Sequence, residues 1–256
     1  MKRVLTSLVL IPIALYLVLW APPAVLLAAV ALVSFGCYHE YRGLAAAYGL
    51  ETFRPVGYAG GLALLLIPPD FGLFSLVVLL TLAAMSVALA SGELRTALPR
   101  AAVMTTGVLY TFGAWKFAPS LHAISPYWLL FALVLNWAGD VAAYYFGRAF
   151  GKRKLAPFIS PGKTWAGAIA SLVTAAVFGW FFITRLLPHV NPLYAVPIAL
   201  AGNAAGQIGD LAESAIKRGA GVKDSGSLLP GHGGLLDRLD STIFTLPVVY
   251  VLARWL

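Results

Sequence analysis

The sequence predicts an all-α integral membrane protein, a polytopic bundle of about nine transmembrane helices forming one domain over residues 1–256. Composition is the first reason: 60% of the residues are hydrophobic and 11% charged, where a soluble domain carries about 25% charged residues. The mean hydropathy of +0.85 is the second. The third is that the apolar residues come in blocks close to the roughly 20 residues that cross a hydrocarbon core. A disordered chain, polar and charge-rich, is excluded by the same numbers. The single cysteine, Cys37, excludes an internal disulfide framework, and with four scattered histidines it excludes a structural zinc site.

Nine apolar segments follow in order: Val4–Trp20, Ala24–Tyr38, Val56–Ile67, Phe71–Ser91, Ala101–Ala118, Tyr127–Phe146, Trp165–Leu187, Leu193–Lys217 and Thr242–Trp255. The first is expected to be an uncleaved helix, because its apolar run exceeds a signal-peptide core and no small-residue cleavage site follows. Pro22-Pro23, Pro68-Pro69, Pro126 and Pro192 stand at the breaks, where residues that cannot continue a helix belong. The third segment is short and is loosened by Gly57, Gly60 and Gly61. Gly57 and Gly61, like Gly202 and Gly206, have the spacing of close helix approach.

With the N-terminus in the cytoplasm, alternation leaves fifteen of the eighteen basic residues on the cytoplasmic side. Only Lys116, Arg185 and Arg254 fall near the other face. That bias follows the positive-inside rule and predicts an external C-terminus, in the inner (cytoplasmic) membrane of a cell. The net charge of +8 is therefore mostly orientation, and nucleic acid is not an expected partner.

Two cytoplasmic segments carry more charge than orientation needs. Gly147–Lys163 holds five basic residues and no acidic one, and headgroup attraction could explain it. Lys217–Asp240 mixes four basic residues with aspartates and six glycines, which headgroup attraction does not explain.

Ionisable residues within apolar helices usually face a cavity or a partner. Asn136, Asp140 and Tyr144 share one face of the sixth segment. Asn203, Gln207, Asp210, Ser214 and Lys217 form a polar stripe on the eighth, with Glu213 beside it. Asn203 and Gln207 suit a hydrogen-bonded seam between helices, whereas Asp210, near the charged end, suits chemistry.

Asp237 and Asp240, three apart around Arg238, can lie on one helical face. With Asp210 they offer three hard oxygen ligands suited to Mg²⁺, among Lys217, Arg218, Lys223 and Arg238, which can hold phosphates. Pro230-Gly231-His232-Gly233-Gly234 adds backbone N–H groups able to cradle an anion. For His232, phosphate contact, proton transfer and a structural role all stay open. Pro161-Gly162-Lys163-Thr164 ends like a Walker A loop, but Pro157 occupies the leading glycine position; Lys163, Thr164 and Ser160 still suit a phosphate. His39-Glu40 runs on into Tyr41, Arg42 and Gly43, so no HExxH zinc motif is present, and no serine nucleophile elbow either.

The run Ser214–Asp240, SAIKRGAGVKDSGSLLPGHGGLLDRLD, resembles the signature of the phosphatidate cytidylyltransferases (CDP-diacylglycerol synthases). Asp140–Lys154 and Ile159–Trp165 resemble further stretches of that family, and the likeness extends from about Asn136 to the C-terminus. Ala166 stands where family members commonly have Glu, and Val141-Ala142 where a small hydroxyl residue and glycine are usual.

The resemblance implies condensation of CTP with phosphatidic acid into CDP-diacylglycerol and pyrophosphate, with Mg²⁺ and room for a second cation. It implies catalytic Asp210, Lys217, Asp237 and Asp240, with the three aspartates on the metal. Substrate contacts would come from Asp140, Lys163, Thr164, Ser214, Arg218, Lys223, Asp224, His232, Gly233, Gly234 and Arg238. The catalytic half would be 126–256, with cytoplasmic loops 147–164 and 217–241 and divergent helices in 1–125. A homodimer is also implied. A CTP-dependent polyprenol or phytol kinase and a cation-coupled transporter are the alternatives.

Overall fold

The computed structural model describes residues 2–68, 72–89, 93–229, 231 and 233–256, with side chains from Leu8 onward. Ten α-helices dominate it: α1 (Lys2–Leu19), α2 (Pro23–Ala47), α3 (Arg54–Leu66), α4 (Leu73–Leu89), α5 (Leu94–Val108), α6 (Phe117–Ile124), α7 (Pro126–Phe150), α8 (Trp165–Leu186), α9 (Ala195–Gly219) and α10 (Leu236–Arg254). Three of the described helices, α2, α7 and α8, are long and apolar enough to cross a membrane. Their outer faces carry exposed Leu32, Val141, Phe146, Val173 and Phe181, as lipid-facing surfaces do.

Local chemistry explains the helix starts. Pro23, Pro55 and Pro126 occupy the first turns of α2, α3 and α7, where a missing N–H costs nothing. The Ser125 hydroxyl accepts from Tyr127 N–H at 3.3 Å, and the Thr164 hydroxyl from Gly167 N–H at 3.2 Å, capping α7 and α8.

Several boundaries differ from the sequence expectation. The fifth segment, Ala101–Ala118, divides: α5 passes into a π-helical turn, Leu109–Gly113, and then into α6. Helix α2 continues nine residues past Tyr38, carrying Glu40 with it. Helix α10 starts at Leu236, six residues before Thr242, so Asp237 and Asp240 lie on its first two turns. The basic stretch from Gly147 is not one loop. Its first four residues finish α7, and the rest folds as an antiparallel hairpin of β1 (Lys154–Ala156) and β2 (Ser160–Thr164). The described residues are thus mostly helical, and this hairpin forms the one sheet among them.

Helices α7 to α10 pack into a four-helix group, against which α1, α2 and α6 close from the N-terminal half. Small residues permit the approach. A Cβ at Gly206 would lie 2.3 Å from Asn136 Oδ1, and one at Gly202 would lie 2.8 Å from Leu135. A Cβ at Gly57 or Gly61 would run into Tyr38 or Phe112. Both spaced pairs therefore serve packing, as their spacing suggested. The C-terminal ends of α2, α7 and α9 meet the starts of α8 and α10 at one end of the bundle, and the polar chemistry gathers there.

Candidate active site

A cavity of about 560 Å³ lies between α7, α8 and α9, with the hairpin on its wall. Asp140 and Tyr144 enter from α7, Lys154, Lys163 and Thr164 from the hairpin, and Gln207 and Asp210 from α9. The hairpin is held in place from both sides. Arg153 lies 5.8 Å from the Trp165 ring, and Arg218 Nε donates to Ile159 O at 3.4 Å.

Within the cavity Lys163 Nζ pairs with Asp210 Oδ2 at 2.5 Å. Ser214 Oγ donates to Asp210 Oδ1 at 3.4 Å, one turn on. Arg148 lines the same wall and donates to the Tyr144 hydroxyl at 3.3 Å. Thr164 is buried, and its hydroxyl is committed to capping α8.

A closed polar network forms the floor. Asn136 Nδ2 donates to Thr245 Oγ1 at 2.7 Å, and Asn203 Nδ2 donates to Asn136 Oδ1 at 3.4 Å. Asn203 Oδ1 accepts from Ser171 Oγ at 3.1 Å and from Gln207 Nε2 at 2.9 Å. Asn203 and Gln207 are thus the hydrogen-bonded seam their positions suggested. Gly139 leaves room for it, since a Cβ there would lie 2.4 Å from Ser171 Oγ.

Lys217 and Asp237 form a second, buried centre beside the cavity. Lys217 Nζ pairs with Asp237 Oδ1 at 2.5 Å and with the fully buried Glu213. Asp237 also accepts from Ser225 N–H at 3.0 Å and Gly234 N–H at 2.8 Å. Gly233 takes a positive φ of 81° to bring the loop round. Asp237 and Asp240 precede the apolar stretch that begins at Thr242. Burial opposes the charge on Asp237, yet the Lys217 ammonium and the two N–H groups outweigh it and hold its carboxyl below the usual carboxylate range. Burial, reinforced by the Asp210 charge, pushes Asp240 up to about 7.

The remaining candidates lie around these centres. Lys223 and Asp224 are exposed on the loop after α9, and Arg238 is exposed on the first turn of α10. Pro230 and His232 fall outside the described residues.

Among the described residues, no three acidic, histidine or cysteine side chains converge into a ready cation cage. Two carboxylates nevertheless have the right character. Asp210 faces the cavity, and its neighbour Gly209 packs so close to α10 that a Cβ there would lie 2.6 Å from Asp240 O, so the Asp210 charge acts unfavourably on Asp240. A pair of repelling carboxylates, completed by water and phosphate oxygens, is a donor set Mg²⁺ takes. Asp237 is already engaged by three donor groups and would have to release some of them to join.

Glu40 on α2 had no place in the sequence-based site. It is 3% exposed, and its Oε2 accepts from Ser225 Oγ at 3.1 Å and from Leu236 N–H at 2.7 Å. The signal that could have found it is an ionisable residue on an otherwise apolar helix.

Fold and site together define a helical membrane protein whose polar cavity sets basic side chains beside carboxylates at one end of the bundle. The chain belongs to the cytidylyltransferase family, which it matches over residues 1–256. A phosphatidate cytidylyltransferase of Pseudomonas aeruginosa is 36% identical over 271 residues, 96% of this chain and 94% of that protein. One of Haemophilus influenzae is 49% identical over 123 residues, and one of Bacillus subtilis 46% over 126. Those two matches span less than half of each relative, 43% and 46%.

Proposed function

We propose that this protein condenses CTP with phosphatidic acid, giving CDP-diacylglycerol and pyrophosphate. One observation carries the reading: Asp140 and Asp210 share a cavity with Arg148, Lys154 and Lys163 at the end of helices whose outer faces are apolar. Such a cavity suits one substrate rich in phosphate and another anchored in lipid. The family and the names of the relatives support the same assignment.

The lipid phosphate is already an anionic nucleophile. Its oxygen attacks the α-phosphorus of CTP, the P–O bond to the β-phosphate breaks, and pyrophosphate leaves. No covalent enzyme intermediate is needed, so the protein's task is alignment and charge stabilisation. Lys163, Arg148 and Lys154 hold phosphate oxygens. Asp210 and Asp240 would hold Mg²⁺, with Asp237 able to join on releasing Lys217; when bound, the ion neutralises charge on the triphosphate. The Asn136–Asn203–Ser171 network fixes the helices that carry these groups.

The setting proposed is the inner membrane, with nine apolar segments, a cytoplasmic N-terminus and an external C-terminus, α5 through α6 counting as one segment. The clustering of basic residues at the site's end of the bundle supports this orientation. Purified protein, phosphatidate micelles and labelled CTP test the reaction, assayed for pyrophosphate and liponucleotide with and without Mg²⁺. CDP appearing with a newly phosphorylated polyprenol would instead mean kinase activity.

A further inference from the structure

On the reading of this site as a cytidylyltransferase, we propose that Glu40 is a positioning residue for the reaction, acting from α2 to hold the loop and helix start that carry Asp237 and Asp240. Helix α10 starts without a cap of its own, because Leu235 precedes its first residue and offers no side-chain acceptor. Glu40 supplies the missing acceptor from 196 residues away, through the 2.7 Å bond from Leu236 N–H. A carboxylate at that place also complements the partial positive charge of the helix N-terminus.

The second bond joins Glu40 to the reactive loop. Ser225 donates its hydroxyl to Glu40 Oε2 at 3.1 Å and its backbone N–H to Asp237 Oδ2 at 3.0 Å. One residue thus bridges the two carboxylates. The loop closes tightly around this arrangement: a Cβ at Gly226 would lie 2.5 Å from Glu40 Oε1, and one at Gly234 would lie 2.0 Å from Ser225 Oγ and 2.7 Å from Glu40 Oε2. Glycine at both places is what lets the backbone wrap a carboxylate from another helix. Without Glu40 the first turn of α10 loses its cap and Ser225 loses one of its two anchors. Asp237 and Asp240 then shift relative to Asp210.

Steady-state kinetics on detergent-purified Glu40→Ala and Glu40→Gln, with amide hydrogen exchange over 225–240, test this. Gln keeps one carbonyl oxygen able to accept both bonds. Expected are a kcat at least 20-fold below wild type in Glu40→Ala with the KM for CTP within about threefold, and recovery to within about fivefold of wild-type kcat in Glu40→Gln. Exchange at Leu236 rises in Glu40→Ala only. Wild-type kcat in Glu40→Ala, or equal loss in both well-folded variants, overturns the proposal. Should both variants aggregate, Ser225→Ala removes one donor alone: a several-fold lower kcat at unchanged KM supports it, and an unchanged kcat overturns it. If the wild-type protein makes no liponucleotide, the function is misread, while exchange over 225–240 still reports whether Glu40 holds the loop.

Discussion

Lys163 Nζ and Asp210 Oδ2 meet at 2.5 Å within the cavity, one side chain coming from strand β2 and the other from α9. In the proposed reaction this pair must separate, because a phosphate arriving at Lys163 and a cation arriving at Asp210 compete with it. Charge-assisted bonds of this kind are worth about 1.5–3 kcal/mol each. Lys163→Met is expected to raise the KM for CTP about 10- to 100-fold. Asp210→Asn is expected to lower kcat by on the order of 100-fold or more while leaving expression intact. Initial rates over a CTP series in each variant check both, and near-normal turnover in Asp210→Asn at ordinary Mg²⁺ would remove that residue from the site.

Lys217 answers to a different physics. It lies between Glu213 and Asp237 rather than on the cavity wall, so its loss leaves two buried carboxylates without their cation. Breaking such a buried pair costs about 3–5 kcal/mol. Lys217→Met should therefore lower the thermal midpoint in detergent together with turnover, and adding Glu213→Gln should restore part of the midpoint. A variant as stable as wild type would show that Lys217 is not structural.

The floor network makes a separate prediction. Asn203→Leu strands the Ser171 hydroxyl and the Asn136 carbonyl oxygen, at about 1–3 kcal/mol for each buried group left unpaired. The melting temperature should fall, while the KM for CTP changes little, because Asn203 lies beneath the charged wall and not on it. Differential scanning fluorimetry and CTP kinetics on one preparation separate the two effects.

Topology can be read with a single thiol. The protein's own Cys37 is buried, whereas Phe158 at the hairpin tip is 95% exposed. Phe158→Cys should react with an impermeant maleimide in inside-out vesicles and not in right-side-out ones. A C-terminal alkaline phosphatase fusion should be active outside. The opposite labelling pattern would refute the cytoplasmic placement of the site.

Much of this was legible in the chain itself, and the limits have physical causes. The stripe from Asn203 to Lys217 was readable because a helix repeats every 3.6 residues, and α9 keeps that repeat over 25 residues. The spacing of Asp237 and Asp240 was readable for the same reason. The hairpin was not, because Pro157, Pro161 and Gly162 break any strand pattern and charge dominates the rest. Glu40 is hard to find because the second apolar segment ends at Tyr38, two residues short of it, and its partners lie 185 and 196 positions away. The pairing of Lys217 with Glu213 is an i, i+4 contact and was within reach; its burial depends on where α10 packs, and no local pattern announces that.

The floor of the cavity has an electrical consequence. A protein that opens a wet, charged chamber into a bilayer invites proton leakage through it. Here the amide and hydroxyl groups below the chamber are satisfied by one another, and Leu135, Ala175 and Ala199 beyond them are fully buried. In the proposed reaction, water entering with a nucleotide would meet polar groups already bonded to one another and, behind them, buried apolar side chains. With the site at one membrane face, as proposed, that layer would insulate its ionic chemistry from the other face.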